Sequence, residues 1–358
     1  MSGAIYERVR YDVEALTDFA ERLLTATGLQ PAVARDVAEV LVEGDLLGHD
    51  THGLSLLAPY LSEIDKGAMS KLGEPEVVNQ RTSVATWDGH RLPGPWLVRQ
   101  AIEWARPRAQ EHGVATVVIK RSHHIACLAA YLEKVARAGL MIEIYSSDPA
   151  VASVAPFGGT QAVFTPNPIA VGIPTSRDPI MIDVSSSVTT NGLSNRMRAA
   201  KIKGEHDWWL DSLGQPSNDP AVLFTTPPGT ILPLGGLDSG HKGYGLLLMV
   251  EALTGGLAGY GRADVPEGWG ASVMVRLSDP AAFGGSAEFT WQTDWLTDAC
   301  HASASRTPGQ GVRLPGERGL ARKAEQLAQG ITLQPTVMTG LNTWTTRHRI
   351  DLPEPIES

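Results

Sequence analysis

Apolar residues in the first third of the chain recur at the three- and four-residue spacing of amphipathic helices. One series runs from Val13 to Leu23 and ends near Gly28, and a second follows Pro31 and reaches Leu47. Residues at this spacing share one face of a helix, and proline is well tolerated in a first helical turn. The pattern therefore predicts two helices, each with one buried side.

The helical pattern breaks between residues 48 and 53, resumes at Leu56 and continues to Ile64. The break places Thr51 and His52 at or near the N-terminus of a third helix. Free backbone N–H groups at such a terminus favour an anionic neighbour. We therefore expect this pair to lie where a negatively charged group is stabilised.

Short runs rich in β-branched residues follow. The predicted strands are residues 77–87, 115–119, 141–145, 169–173 and 180–184, with a helix at residues 128–138. The remainder is predicted as a structured loop at 201–228, a buried helix at 246–258, a loop-rich stretch at 259–285, a short strand at 289–291, a mobile loop at 303–310 and a helix at 319–329. Polar groups at strand ends that lead into helices are common binding sites in α/β proteins.

The composition describes a folded globular protein, because 42% of its 358 residues are apolar and 19% are charged. A chain of this length can bury one large core or two moderate cores. The 30 basic and 39 acidic residues give a formal net charge of −9. This charge argues against nucleic acid or an anionic membrane as the main partner, although a local basic pocket for phosphates remains compatible with it.

Cysteine content and the N-terminus predict a cytoplasmic protein. Cys127 and Cys300 are too few to staple a secreted domain or to form a four-cysteine metal site. Met1 to Asp12 contains no apolar signal segment, and no stretch approaches the roughly 18 apolar residues of a membrane-spanning helix. We therefore expect no membrane partner.

Two histidines are candidates for acid–base chemistry. Taken alone, His52 at a helix start is more often a cap or a surface residue than a catalyst. Here Thr51 supplies a hydroxyl that can orient the ring or relay a proton, and Gly53 lets another group approach the backbone closely. His124 follows a predicted strand. A structural hydrogen bond from its ring to the backbone explains this histidine as well as a catalytic role does.

Two carboxylates stand at predicted strand ends. Asp183 opens the run Asp183-Val184-Ser185-Ser186-Ser187, which can hold ribose hydroxyls or water but can equally cap a helix. A carboxylate at Asp148 would suit an unphosphorylated ribose 2′-hydroxyl and would repel a 2′-phosphate, which favours NAD over NADP.

The string from Pro233 to Gly245 is punctuated by glycines that permit tight turns and leave N–H groups free, and Lys242 adds a cation for an anionic ligand. It lacks the spacing of a P-loop. The Gly-x-Gly-x-x-Gly fingerprint of a Rossmann fold does not occur in the chain.

Four segments, in this order, resemble those of the malate/L-lactate dehydrogenase family of the second type. They are Asp50-Thr51-His52-Gly53, Arg121-Ser122-His123-His124, Thr165-Pro166-Asn167-Pro168, and the string that ends in Lys242-Gly243-Tyr244-Gly245. The resemblance covers about residues 15 to 335. Members of that family are homodimeric, NAD(P)-dependent reductases of 2-keto acids and cyclic ketimines.

The resemblance implies an α/β protein with a non-Rossmann, malate/L-lactate dehydrogenase-like fold. In it a central mixed-sheet domain is joined by a helical domain built from both termini. We expect residues 115–317 to form the NAD(P)-binding domain, and residues 1–114 and 318–358 to form the helical, substrate and dimerisation domain.

The resemblance also implies roles for individual residues. His52 would donate the proton to the oxygen or nitrogen of the reduced group with Thr51 as its relay, and His124 would orient the nicotinamide or the substrate. Positions 53 and 56 would contact a small-molecule substrate. NAD or NADP would be lined by His124, Ile125, Ala126, Cys127, Leu128, Asp148, Phe164, Ile182, Asp183, Val184, Lys242, Pro315 and Gly316. No metal ligands are implied.

Three positions depart from the family pattern. Leu56 stands where the family has an arginine that grips the substrate carboxylate. Ala126 replaces a glycine, and Gly192-Leu193 replaces a Gly-Lys pair.

The loss of the arginine bears on the substrate, because breaking a desolvated arginine–carboxylate pair costs on the order of 2–5 kcal/mol. Either another cation such as Arg196 or Arg198 serves, or the substrate lacks a carboxylate at that point, or catalysis has been lost. Our hypothesis is a reductase for a bulkier or less acidic carbonyl or imine than pyruvate or malate.

Two other functions fit parts of the sequence. The first is a metal-dependent hydrolase, whose candidate ligands are His49, His52, His123, His124, Asp50 and Asp183. However, His49 and His52 lack the i, i+4 spacing of zincins, and no glutamate stands where their general base would be. The second is a catalytically silent relative that binds a nucleotide or a partner.

Overall fold

The computed structural model describes residues 9–356 of the chain. Residues 1–8, which belong to the segment predicted to lack a signal peptide, and residues 357–358, at the end of the predicted helical domain, lie outside the described residues. The helices of the described part are α1 Val13–Thr27, α2 Pro31–Leu46, α3 Leu57–Asp65, α4 Gly94–His112, α5 Leu132–Arg137, α6 Asn191–Ala199, α7 Gly236–Glu251, α8 Ser286–Ala302, α9 Glu317–Gln329 and α10 Pro335–His348.

The strands are β1 Arg10–Tyr11, β2 Glu76–Gln80, β3 Val84–Asp88, β4 Val114–Ser122, β5 Met141–Ser147, β6 Pro168–Ile173, β7 Ile180–Ser185, β8 Trp209–Leu210, β9 Pro216–Ser217, β10 Thr230–Ile231, β11 Ala271–Ser278, β12 Ile331–Thr332 and β13 Pro355–Ile356. Seven of them form one sheet in the order β2-β3-β4-β11-β5-β6-β7. Its β3–β4 pair is parallel and the other neighbours are antiparallel. The predicted α/β fold with a central mixed sheet is confirmed.

The N-terminal helices begin and end as their sequence predicts. The Asp12 side chain caps α1 by accepting a hydrogen bond from the Ala15 N–H at 2.9 Å. Gly28 ends α1 at a φ of 121°, which favours glycine, and Pro31 opens α2. Both helices pack their buried faces into the main apolar cluster, which also contains one face of the large sheet.

The strand at the centre of the large sheet is β11, and here the prediction of a loop-rich stretch is wrong. Val273 and Val275 face the main apolar cluster, whereas Met274 faces a second cluster that contains Val250. A strand buried on both faces shows no alternation of apolar and polar residues. The local sequence signal for β11 is therefore weak.

Two other predictions are wrong. Residues 289–291 lie in α8 and not in a strand; α8 buries only Thr293 and Thr297, and its large apolar side chains Trp291 and Trp295 are exposed. The glycine string is helical from Gly236 onward, which places Lys242 on the exposed surface of α7 and not in a turn. Gly243 is required there because a Cβ would collide with the Leu234 backbone.

The predicted division of the chain at residues 114 and 317 stays a prediction. β2 and β3 precede residue 114 and yet belong to the large sheet. Among residues 9–356, no helix is both long enough and apolar enough to cross a membrane.

Candidate active site

The register of the large sheet brings several strand ends to one edge. Ser122 at the end of β4 pairs with Ala271 at the start of β11, and Ser147 at the end of β5 pairs with Ser272. The polar segments that follow β4 and β5 therefore lie beside the segment that precedes β11. The loop before α3, with the predicted catalytic pair, joins this edge.

These segments surround a cleft of about 540 Å³. Its walls contain the predicted site residues Thr51, His52, Leu56, His124, Ile125, Ala126, Cys127, Leu128, Asp148 and Asp183. The two histidine motifs, which lie far apart in sequence, thus meet in one site.

Thr51 orients the imidazole of His52. Its Oγ1 lies 2.8 Å from Nδ1 of His52. Among the described residues, Nε2 of His52 has no hydrogen-bond partner, so it is the ring nitrogen left for a ligand in the cleft. When the Thr51 hydroxyl accepts from Nδ1–H, Nε2 carries a lone pair that can take a proton.

His124 is fixed by its neighbours in a single tautomer. The Tyr60 hydroxyl lies 2.8 Å from Nδ1 of His124, and the Ala126 N–H donates to the same nitrogen at 3.3 Å. A nitrogen that accepts from a backbone amide carries no proton, so the neutral ring is protonated at Nε2. The rings of His52 and His124 lie 5.8 Å apart between centroids, at an angle of 29°.

Ala126 occupies the left-handed backbone region, with a φ of 58°. This conformation costs a residue with a Cβ about 1–2 kcal/mol and costs glycine little. The backbone at this position aims the Ala126 N–H at His124. The physical requirement matches the glycine that the family pattern has here.

Gly53 is explained by Asp45 and not by a ligand. The Asp45 carboxylate accepts a hydrogen bond from the Leu54 N–H at 2.7 Å, and a Cβ on Gly53 would collide with that carboxylate. Burial raises the pKa of Asp45 to about 7. Gly53 is itself buried and does not line the cleft.

The imidazoles of His52 and His124 are held neutral. Burial, assisted by the neighbouring His49, lowers the pKa of His52 to about 4. Burial, together with the two adjacent histidine rings, lowers the pKa of His124 well below its usual range. Burial also raises the pKa of Asp148 and of Asp183.

The basic side chains that line the cleft are histidines. Within the described residues, neither lysine nor arginine lines it. The Arg198 guanidinium lies 3.8 Å above the Phe224 ring, and Arg196 is exposed on α6. Neither residue supplies a cation in place of the missing arginine, and the half-buried Leu56 leaves that wall apolar.

A second cavity, of about 450 Å³, shares His49 and Asp183 with the first. The predicted cofactor residues Ile182, Val184, Pro315 and Gly316 line it. Two cations, Arg318 and Arg322, stand in the same wall.

The two neighbouring cavities offer groups that suit a dinucleotide. Asp183 accepts a hydrogen bond from the Ala129 N–H through one oxygen at 2.9 Å, and within residues 9–356 its other oxygen has no partner. That oxygen can accept from a ribose hydroxyl, and Arg318 and Arg322 can face phosphates. The neutral histidines and the apolar wall lie at the other end.

Two predicted cofactor residues lie elsewhere. Phe164 is buried in a separate apolar cluster with Trp209 and Leu247. Lys242 is exposed on α7 and lines neither cavity. Neither residue lines the two cavities, and the contact of each with a cofactor stays a prediction.

Two aromatic residues of the site were not among the predicted site residues. Trp269, just before β11, lines the cleft with its ring 4.6 Å from that of His124. Tyr60 looks in sequence like any apolar position of α3. Only the long-range pairing of β11 with β4 brings Trp269 to the histidine, so the local sequence carries no signal for it.

Of the six ligands suggested for a hydrolase, only His49 and Asp183 lie together in one donor group of the described residues. The groups of three or more His, Cys, Asp or Glu donors in the described part are His49–Cys127–Asp183 and Glu76–Asp88–His90. Neither group contains His52 or His124.

Comparison with known proteins agrees with this geometry. A profile of the malate/L-lactate dehydrogenase family matches residues 11–342. The chain is 30% identical to an L-lactate dehydrogenase of Cupriavidus necator over 93% of this chain and 96% of that protein. It is 32% identical to a (2R)-3-sulfolactate dehydrogenase (NADP⁺) of Chromohalobacter salexigens, over 90% and 93% of the two chains.

The fold resembles a solved relative that acts on a cyclic imine. The structure of Δ1-piperideine-2-carboxylate reductase from Pseudomonas syringae pvar. tomato superposes with a TM-score of 0.82 at 25% identity. The match covers 94% of this chain and 99% of the other. Nothing in these relatives supports a hydrolase.

Proposed function

The chain belongs to the malate/L-lactate dehydrogenase family, and from that premise we propose that it is an NAD(P)-dependent oxidoreductase of a C=O or C=N carbon. Its substrate is a 2-keto acid, a cyclic ketimine or a related compound. The observation that carries this proposal is the pair of neutral imidazoles, 5.8 Å apart, in a cleft that shares His49 and Asp183 with a second cavity lined by two arginines.

The residues of both cavities would hold the cofactor. Residues 124–128 would line the nicotinamide end, Asp183 would accept from a ribose hydroxyl, and Arg318 and Arg322 would face the phosphates. A bound reduced nicotinamide supplies a hydride to an electrophilic carbon. Trp269 and Leu56 exclude water from the apolar side of the cleft.

His52 handles the proton. At pH 7 a pKa of about 4 leaves only about one ring in a thousand protonated. The neutral ring with Nδ1–H on Thr51 is ready to take a proton at Nε2 from a substrate hydroxyl, which is the oxidative direction. For reduction Nε2 must first be protonated, and a negative charge brought into the cleft by a ligand raises the pKa of His52 and favours that form.

The substrate is bulkier or less acidic than pyruvate or malate. The cleft offers Leu56 and the Trp269 ring, and in the described chain no lysine or arginine there balances a carboxylate. An apolar substituent is stabilised against these side chains, whereas an unpaired carboxylate loses its hydration without compensation.

Three finer features complete the proposal. Asp148 favours NAD over NADP, since a carboxylate repels a 2′-phosphate. The protein forms a homodimer through α8, where Trp291 and Trp295 are 69% and 61% exposed. The two cysteines, both free in the structure, suit a cytoplasmic protein.

Titration with NADH and NADPH, followed by nucleotide fluorescence, tests the proposal first. Saturable binding of at least one is expected, with NADH preferred. A panel of 2-keto acids, cyclic ketimines and bulkier uncharged carbonyls is then assayed with the preferred nucleotide. If the folded protein bound neither nucleotide, the proposal would be refuted. Efficient turnover of pyruvate, oxaloacetate or piperideine-2-carboxylate would refute the proposal of a bulkier or less acidic substrate.

A further inference from the structure

Three different metal-binding side chains meet between the two cavities. The ligand atoms of His49, Cys127 and Asp183 all lie within 4.8 Å of one another. The Cys127 sulfur is 4.0 Å from a carboxylate oxygen of Asp183. His49 and Asp183 line both cavities, and Cys127 lines the first.

Within residues 9–356, these three groups form neither an ion pair nor a disulfide. Among residues 9–356, the His49 ring makes no hydrogen bond and one oxygen of Asp183 has none. Cys127 is a free, buried thiol. The Asp183 oxygen nearest the thiol also accepts from the Ala129 N–H at 2.9 Å and keeps a lone pair for an ion. In the described part of the chain, no cation and no disulfide has to be displaced from the three donors for them to bind an ion.

The spacing is close to that of a tetrahedral zinc site. Zinc–sulfur bonds of about 2.3 Å and zinc–nitrogen or zinc–oxygen bonds of about 2.0 Å place neighbouring ligand atoms about 3.3–3.5 Å apart. The ligand atoms of the present cluster lie at most 4.8 Å apart, so rotation of the side chains must bring the widest pair closer by at most about 1.5 Å. A mixed sulfur, nitrogen and oxygen set suits Zn²⁺ and not Mg²⁺, and three protein ligands leave a fourth position for water from the cleft.

We propose that His49, Cys127 and Asp183 form a binding site for Zn²⁺, and that the bound ion bars the dinucleotide from its cleft. The Cys127 thiol gives up its proton to solvent on binding, and no electron is transferred. The second half of this proposal rests on the proposed function, because it assumes that the dinucleotide uses Asp183.

The other acidic cluster serves as an internal comparison. Asp88 already forms an ion pair with Arg121 and lies 3.8 Å from Lys120. His90 lies 3.4 Å from Asp88 and 3.3 Å from Glu76 and is partly exposed. A metal there would have to displace existing cations, so we expect no tight site.

Cobalt is the probe for the ligand set, because tetrahedral Co²⁺ absorbs visible light and a cobalt–thiolate bond adds a near-ultraviolet band. Titration of the reduced, metal-free full-length protein is expected to give both signals at one equivalent, and Zn²⁺ should abolish them by displacement. Cys127→Ser should lose the thiolate band, and His49→Ala should lose the tetrahedral spectrum. Cys300→Ser, at the exposed second cysteine on α8, and His90→Ala should keep both.

Several results would overturn the site. They are no cobalt signal with the wild-type chain, a thiolate band that survives in Cys127→Ser, or a band lost only in Cys300→Ser. Circular dichroism and thermal melting check that each variant is folded. Cys127→Ala provides a second test if the serine variant is unstable, since alanine adds no hydroxyl to the buried position.

NADH fluorescence titration with and without one equivalent of Zn²⁺ tests the consequence. The wild-type and Cys300→Ser proteins should bind NADH at least about tenfold more weakly with zinc, and Cys127→Ser should show no zinc effect. Cobalt binding without any effect of metal on NADH affinity would refute the claim that the bound ion excludes the dinucleotide. A chain that binds cobalt but no nucleotide would keep the metal site and refute the oxidoreductase.

Discussion

Replacing Leu56 by arginine tests the explanation of the substrate most sharply. Leu56 lines the cleft one turn after His52, and within the described residues neither lysine nor arginine lines the cleft. An arginine there would present a guanidinium to a carboxylate next to the reacting carbon. We expect Leu56→Arg to gain activity toward pyruvate and oxaloacetate that the wild-type protein lacks.

The size of the gain follows from the bond formed. A hydrogen-bonded pair between charged groups contributes about 1.5–3 kcal/mol, and about 1.4 kcal/mol corresponds to a factor of ten. We therefore expect kcat/KM for pyruvate to rise about 10- to 100-fold. Part of the gain is offset because the new charge disfavours protonation of His52.

Steady-state assays that follow reduced nicotinamide absorbance measure the effect. Leu56→Gln is the matched control, because it has a long polar side chain without charge and should gain little. Nucleotide titration and thermal melting check that both variants are folded and bind cofactor. An equal response of the arginine and glutamine variants to pyruvate would refute the reasoning, as would efficient use of pyruvate by the wild-type chain.

Three further predictions concern stability, cofactor choice and assembly. Burial lowers the pKa of His123 to about 4 from an ordinary 6.5, so the unfolded chain binds more protons between these values and stability falls as the pH falls through them. Near pH 4 this protonation lowers the free energy of unfolding by about 3 kcal/mol, and His123→Asn should abolish that decrease in urea unfolding experiments. An unchanged dependence of the unfolding free energy on pH would contradict this. Asp148→Ser should raise the efficiency with NADPH relative to NADH by about tenfold in parallel kinetic assays, and no change in that ratio would remove Asp148 from cofactor selection. Trp295→Asp on α8 should convert a dimer to a monomer in sedimentation velocity, and a wild-type distribution would place the interface elsewhere.

The sequence predicts those elements whose signals are local. α1 and α2 carry one apolar face, a side-chain cap at Asp12 and a proline at the first helical position, and all of these act within a few residues. The position of His52 at a helix start follows in the same way, because the apolar pattern stops and resumes around it.

The rest depends on contacts between distant segments. β11 is buried on both faces and shows no alternation, and its pairing with β4 and β5 sets the whole edge where the site forms. Trp269 reaches His124 only through that pairing. The sequence predicts Lys242 as a cation for an anionic ligand in a string of tight turns, but this residue lies on α7, where Gly243 allows the close approach of the Leu234 backbone.

The central claim is that His52 moves the proton while the cofactor binds independently of it. Single-turnover reduction of the best substrate by the His52→Ala variant tests this directly, with nucleotide affinity measured on the same protein sample. We predict that NADH binding stays near the wild-type value while the turnover rate falls by about 10²- to 10⁴-fold, the usual effect of losing a general acid. A folded variant that turns over at the wild-type rate would contradict the claim.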